Sequence, residues 1–254
     1  MLFRSKIEAD GINPILDDLA EADKITDAKS LIATISKLEI AGGPSIFGSF
    51  IYPDVGNSTQ YAIYIYQGGL SLPDEAYYRE EQYQPIRDAF LEHVKKMSEI
   101  SNIAIDGPSL LKLETEIASY HWDQVKDRDA ILTYNKKSYS ELKALSSNFD
   151  WDGYLSAGRI PNSKFEELVV REPSFFEGLS KMLGAFDLDA WRNWLRWHIL
   201  SGTAAYLNDA LVNQNFAFYG TTLSGTPQIR ERWKRGISLV EGALGEELGK
   251  EYVK

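Results

Sequence analysis

Few residue types in this chain could do chemistry. Its 254 residues include three histidines and no cysteine, which excludes disulfides, thiolate metal sites and cysteine nucleophiles. His93, His121 and His198 are far apart in sequence, and no His-Glu-x-x-His run sets two imidazoles and a general base on one helix face. His121 and His198 adjoin Trp122 and Trp197, the setting of a hydrogen-bonded core histidine rather than of a metal ligand. The pairs Glu114/Glu116 and Glu246/Glu247 have the right side chain for acid–base work. In a chain with 37 acidic and 27 basic residues, however, they are expected on solvated helix faces. Sugar hydrolysis would need two carboxylates about 5 to 10 Å apart in a cleft. Trp191, Trp194 and Trp197 recur every third residue, which on a helix reads as a core or interface stripe before it reads as a sugar platform. Gly68-Gly69 is followed by neither phosphate-loop pattern, so the double glycine is structural.

That double glycine opens the segment YQGGLSLPDEAYYRE, Tyr66 to Glu80. Glycine permits positive φ or close backbone approach, and proline suits a first helical turn. The segment therefore predicts a strand-to-helix bend, with Gly68 or Gly69 at positive φ, Pro73 inside the first turn, and Asp74 following it. Before it, the aromatic and β-branched runs 46–53 and 60–67, separated by the turn residues PDVGN, predict a β-hairpin.

The remainder reads as helices. Thr26 is placed to cap a helix carrying Leu31, Ile35 and Leu38, which Gly42-Gly43-Pro44 would stop. Pro85 is placed to start a helix with Ile86, Phe90, Val94 and Met97 on one face, and Gly107-Pro108 predicts a break before a helix capped by Ser109. Ser138 and Glu141 form a capping-box pattern, and Asp187 opens one long helix through DLDAWRNWLRWHILSGTAAYLNDAL. A last helix starting near Pro227 keeps Trp233, Ile237, Val240, Leu244 and Leu248 on one stripe. The fold class is thus mostly α, a multi-helix lobe spanning 1–254 with one small β-hairpin at about 46–67.

The net charge of −10 repels phosphate backbones, so nucleic acid is not an expected partner. The N-terminal MLFRSKIEADGINPILDD has no apolar run of signal-peptide length, and no later segment approaches about 18 uninterrupted apolar residues. The chain is expected to carry no membrane segment, and its compartment, cytoplasmic or extracytoplasmic, stays open.

The order of QGGLSLPDEAYY, ETEIASYHWDQV, FDWDGYL, VVREPSFF, WLRWHILSGTAAYLND and RERWKRGISLVEGALGEELGKEYV resembles the N-terminal part of the neprilysin-like zinc metalloendopeptidases, the family that includes bacterial oligopeptidases. The most specific blocks are Gln67–Tyr78 and Arg232–Arg235, which contains Trp233. The resemblance implies a non-catalytic helical lobe lying opposite a catalytic lobe, peptide substrates for the intact enzyme, and zinc in the parent with no cofactor in this chain. The family's zinc helix, its later Glu-x-x-x-Asp ligand motif, its Asn-Ala motif and its transition-state histidine all fall beyond Val253, and no glutamate here has an aspartate four positions on. The chain is therefore expected to be inactive alone, an internal fragment in which no catalytic, cofactor or metal residue can be named. Gly68, Gly69, Pro73, Asp74 and Trp233 remain as motif residues. If the catalytic lobe is missing, the terminal segments 1–25 and 227–254 should leave an apolar patch bare and the fragment should self-associate. A stand-alone helical binding module is the alternative.

Overall fold

The computed structural model describes residues 2–253, with side chains from Ser5 onward. Met1 and Lys254, which belong to the two terminal segments singled out above, lie outside the described residues. Thirteen α-helices are described: α1 Leu2–Asp10, α2 Leu16–Asp23, α3 Ala28–Ile40, α4 Ala76–Arg79, α5 Gln84–Ser101, α6 Gly107–Ser119, α7 Gln124–Asp127, α8 Tyr139–Leu145, α9 Trp151–Ala157, α10 Pro173–Gly184, α11 Leu188–Thr203, α12 Asp209–Asn215 and α13 Arg232–Tyr252. Four strands, β1 Phe47–Asp54, β2 Asn57–Gln67, β3 Lys136–Ser138 and β4 Glu167–Val170, form one sheet in the order β1-β2-β4-β3.

The hairpin is present and is half of that sheet. β1 and β2 pair antiparallel from Phe47↔Gln67 to Asp54↔Asn57, whereas β2 and β4 pair parallel and β3 returns antiparallel to β4. The added strands have three and four residues, too short to show a period of two.

Side-chain caps and local turns set several of the helix starts, and three expectations are corrected. Asp27, not Thr26, caps α3: its carboxylate accepts from the Ser30 amide at 2.8 Å, and the Ser30 hydroxyl lies 3.0 Å from the Asp27 amide. Asp106 caps α6 by accepting from the Ser109 amide, so Gly107-Pro108 is that helix's first turn rather than a break. Pro73 lies in a bend before α4, because Asp74 closes a local turn on the Ala76 amide at 2.9 Å and delays the helix to Ala76.

The long tryptophan helix also stops early. α11 is capped by Asp187 and ends at Thr203. The chain then makes a 3-10 turn, Ala204–Tyr206, and starts again at α12 under an Asn208 cap. α12 runs into a π-helical stretch, Phe216–Leu223. The last helix begins at Arg232 rather than Pro227.

A contiguous cluster of buried side chains extends from Ile15 to Phe218, with Trp151, Trp191, Trp194 and Trp197 among its largest members. The stripe on α11 is thus core. Ile15, Leu19, Ala22 and Ile25 are buried in the same cluster, so within the segment 1–25, where a bare patch is expected, these four side chains are packed while Leu16 is half exposed. At the other end, α13 has no buried residue and departs from helical geometry at Leu244.

Candidate functional site

The bend after β2 is held by buried polar groups. Gly69 adopts φ 83°, and a Cβ there would lie 3.1 Å from the Ile46 carbonyl oxygen, so the position needs glycine twice over. Gly68 is not at positive φ; its constraint is space, since a Cβ would sit 3.0 Å from Phe47 Cα. The carbonyls of both glycines are engaged, Gly68 by His121 Nε2 at 2.9 Å and Gly69 by the Trp194 indole N–H at 3.0 Å.

One carboxylate organises the next turn. Glu114, on α6, is fully buried and accepts from the Ser71 amide (3.0 Å), the Ser71 hydroxyl (2.7 Å) and the Tyr78 hydroxyl (2.5 Å), with His198 Nε2 at 2.9 Å. The Trp197 indole donates to Ser71 Oγ at 2.8 Å, and the Ser71 and Leu72 amides donate to the Tyr78 oxygen at 3.1 and 2.9 Å. Burial, and then the Glu114 charge, push the Tyr78 hydroxyl well above its usual range. The expectation that Glu114 sits on a solvated face is overturned: its partners lie 36, 43 and 84 residues away, beyond the reach of helix periodicity. Glu246 is exposed, as expected of the other pair.

A second carboxylate fixes the strand end. Glu172, also fully buried, accepts from the Gln67 amide at 2.8 Å. Burial, followed by a hydrogen bond with Asp127, raises its carboxyl to about 8. The Gln67 side chain exchanges two hydrogen bonds with the backbone of Trp122.

The arrangement clamps the bend through buried hydrogen bonds. His198, Ser201, Tyr219 and Leu70 line a cleft of about 250 Å³ beside it, and the Glu114 carboxylate has its acceptor sites filled by Ser71, Tyr78 and His198. His93 and His121 are held near pKa 4, chiefly by burial. The three histidines bond to different partners, His93 to Gln214, His121 to Gly68 and His198 to Glu114, and among the described residues no three metal-ligating side chains converge. The donor set of the described residues does not fit a zinc ion. Gly68, Gly69, Pro73 and Asp74 lie together on this bend, while Trp233 is elsewhere, 61% exposed on α13. There Arg230, Arg232 and Arg235 rim an apolar cleft of about 760 Å³ floored by Ile7, Tyr206 and Leu239.

The sequence profile of Peptidase family M13, in its N-terminal part, matches residues 2–254. The chain belongs to peptidase family M13. It is the neprilysin-like N-terminal lobe of that family of metallopeptidases. Among solved structures it is similar to the zinc metalloprotease Zmp1 of Mycobacterium tuberculosis in complex with inhibitor, at 36% identity and a TM-score of 0.94, covering 99% of this chain and 39% of that one. PepO from Lactobacillus rhamnosis, at 17% identity and a TM-score of 0.73, shares the fold. Curated relatives include endothelin-converting enzyme 1 of Cavia porcellus and membrane metallo-endopeptidase-like 1 of Mus musculus, each 26% identical over 82% and 81% of this chain. The chain spans 29% of the length of each of these two relatives.

Proposed function

We propose that residues 1–254 form the helical, non-catalytic lobe of a zinc-dependent peptidase. In this reading the lobe roofs a chamber that admits short peptides, and peptide bonds are broken by a zinc-bearing lobe outside this chain. The observation that carries the reading is α13. Twenty-one residues of helix carry an apolar stripe, Trp233, Ile237, Val240, Leu244 and Leu248, with none buried, an arrangement that a monomer in water does not favour unless another surface covers it. Family membership supports the chemistry, and the clamp around Glu114 supports a rigid wall rather than a catalytic one. The contribution of this chain to the reaction is shape: it orients no reacting atom and moves no proton.

The test compares a quenched nonapeptide with unfolded casein as substrates of the full-length protein. The peptide should be cleaved and casein spared. Residues 1–254 alone should cleave neither and bind no stoichiometric zinc by metal analysis. Cleavage by residues 1–254, or equal turnover of both substrates by the full-length protein, would remove the sieve reading and favour a different role for the lobe.

A further inference from the structure

The two edges of the sheet are unlike. β3, at one edge, is three residues long and carries Lys136 and Lys137, the usual protection of an edge against pairing. β1, at the other, is eight residues long, FGSFIYPD, and is exposed from Ser49 to Tyr52 with no lysine or arginine. Its only charge, Asp54, is paired with Lys136.

The backbone groups of this edge can be assigned. Ile65 directs its carbonyl away from β1, accepting from the Arg171 amide at 2.9 Å, and Gln67 directs its amide to Glu172. Their partners in the register, Ser49 and Phe47, therefore turn their own N–H and C=O groups outward, because antiparallel pairs alternate. Pro53, with no N–H to give, falls on the same outward set. The Phe47 carbonyl is occupied by the Ser45 hydroxyl at 2.6 Å. Ser49 and Ile51 are left with backbone donors and acceptors facing solvent.

Beside this edge is a groove of about 330 Å³ between the hairpin and the C-terminal end of α3, lined by Ile40, Ile51 and Ile63 and holding one carboxylate, Glu39. Ile51 is 70% exposed and Ile40 is 64% exposed. Tyr154 donates to Glu39 Oε2 at 2.6 Å, and no lysine or arginine lines the groove. A carboxylate can accept from several donors at once. Burial holds the Glu39 carboxyl above its usual range, an effect that an incoming cation would offset. The C-terminal end of α3 adds partial negative charge at the same place.

We propose that the β1 edge is a docking site for an extended peptide segment bearing lysine or arginine, which adds a strand along Ser49–Ile51 and places its basic side chain in the groove against Glu39. Main-chain hydrogen bonds supply the affinity and the groove supplies the selection, as in other strand-addition complexes. The aliphatic stem of such a side chain suits the isoleucine walls, and its charged head suits the carboxylate. The net charge of −10 favours encounter with a basic segment. A second copy of this chain fits less well, because residues 45–67 contain no cation to offer Glu39. The proposal does not depend on peptidase activity.

The test uses the full-length protein with EDTA present, so that no metal-dependent cleavage consumes the probe. The probe is the labelled heptapeptide Ac-Thr-Val-Thr-Lys-Thr-Val-Thr-NH2, with norleucine and glutamate versions of the central residue. The lysine probe should bind at least about tenfold more tightly than the norleucine one, and amide exchange at Ser49 and Ile51 should slow when it binds. Glu39→Gln should abolish the preference for lysine while leaving the norleucine probe unchanged, and Glu39→Lys should transfer the preference to the glutamate probe. Equal binding of all three probes overturns the proposal. So does protection of Ser49 and Ile51 without any probe, which would mean that the protein's own chain covers the edge. A dimer in light scattering that Ser49→Pro dissolves would also overturn it, assigning the edge to a second copy.

Discussion

The bend at residues 67–72 and the helix α13 are built in opposite ways. In the bend, backbone and side-chain polar groups are buried and satisfied by neighbours on α4, α6 and α11, with Glu114 alone accepting from Ser71 and Tyr78 and meeting His198. α13, the longest described helix, has no buried residue; its first turn is tied to the rest of the chain by Arg232 with Asp209 and by Arg235 with the Ala205 carbonyl, each at 3.4 Å, while the pairs Lys234 with Glu231 and Lys250 with Glu247 are local and exposed. The bend is determined by this chain's own core. The helix is held by this chain only near its start and leaves its apolar stripe, Trp233 to Leu248, exposed.

The comparison breaks most easily at Glu114. Glu114→Ala leaves the Tyr78 hydroxyl, the Ser71 hydroxyl and His198 without their shared acceptor, and should destabilise the chain by about 3 kcal/mol or more in urea unfolding. An effect below about 1 kcal/mol would mean that the network is not under load. Gly69→Val comes next: positive φ and the close Ile46 carbonyl should make it cost about 2 kcal/mol, read as a fall in Tm.

The pH dependence of the clamp is smaller and has a definite sign. The Glu172 carboxyl is raised to about 8 in the folded chain from an ordinary 4.5. The folded state therefore holds a proton that the unfolded state has lost, and this contribution is complete below about pH 4.5 and disappears as pH rises through about 8. Each pK unit is worth about 1.4 kcal/mol, so even part of the shift should lower stability by about 1 to 2 kcal/mol between pH 5 and pH 8.5. Glu172→Gln should flatten that slope; an unchanged slope would place its origin elsewhere. The smallest effect is expected on α13. Leu244→Ser, at a side chain 58% exposed, should change the stability of residues 1–254 by no more than about 0.5 kcal/mol. Combined with Trp233→Ser, it should reduce concentration-dependent light scattering by that fragment.

What the sequence made legible follows the range of the forces involved. The tryptophan stripe of α11, the hairpin and the special backbone at Gly69 are local in origin, and spacing or residue type alone predicts them. The clamp is not local. Glu114 looks like half of a solvated acidic pair because nothing within a helical turn reveals that Ser71, Tyr78 and His198 will converge on it. Strand β4 pairs with β2 about a hundred residues away through three residue pairs, too few to leave a pattern. Pro73 was expected inside a helix because the intrinsic preference of proline is strong, yet the Asp74 side chain competes for the Ala76 amide and delays the helix. At α13 the periodic stripe is plain in the sequence, but periodicity gives only the face and not what covers it.

Amide hydrogen exchange along α13, Arg232–Tyr252, compared between residues 1–254 and the full-length protein, tests the account most directly. The account predicts that α13 exchanges freely in the isolated lobe and slows by at least about a hundredfold in the full-length protein, while the amides of Ser71 and Leu72 are equally protected in both. Equal exchange of α13 in the two, whether fast or slow, would contradict the claim that this helix is the unfinished face of a lobe completed by the rest of the enzyme.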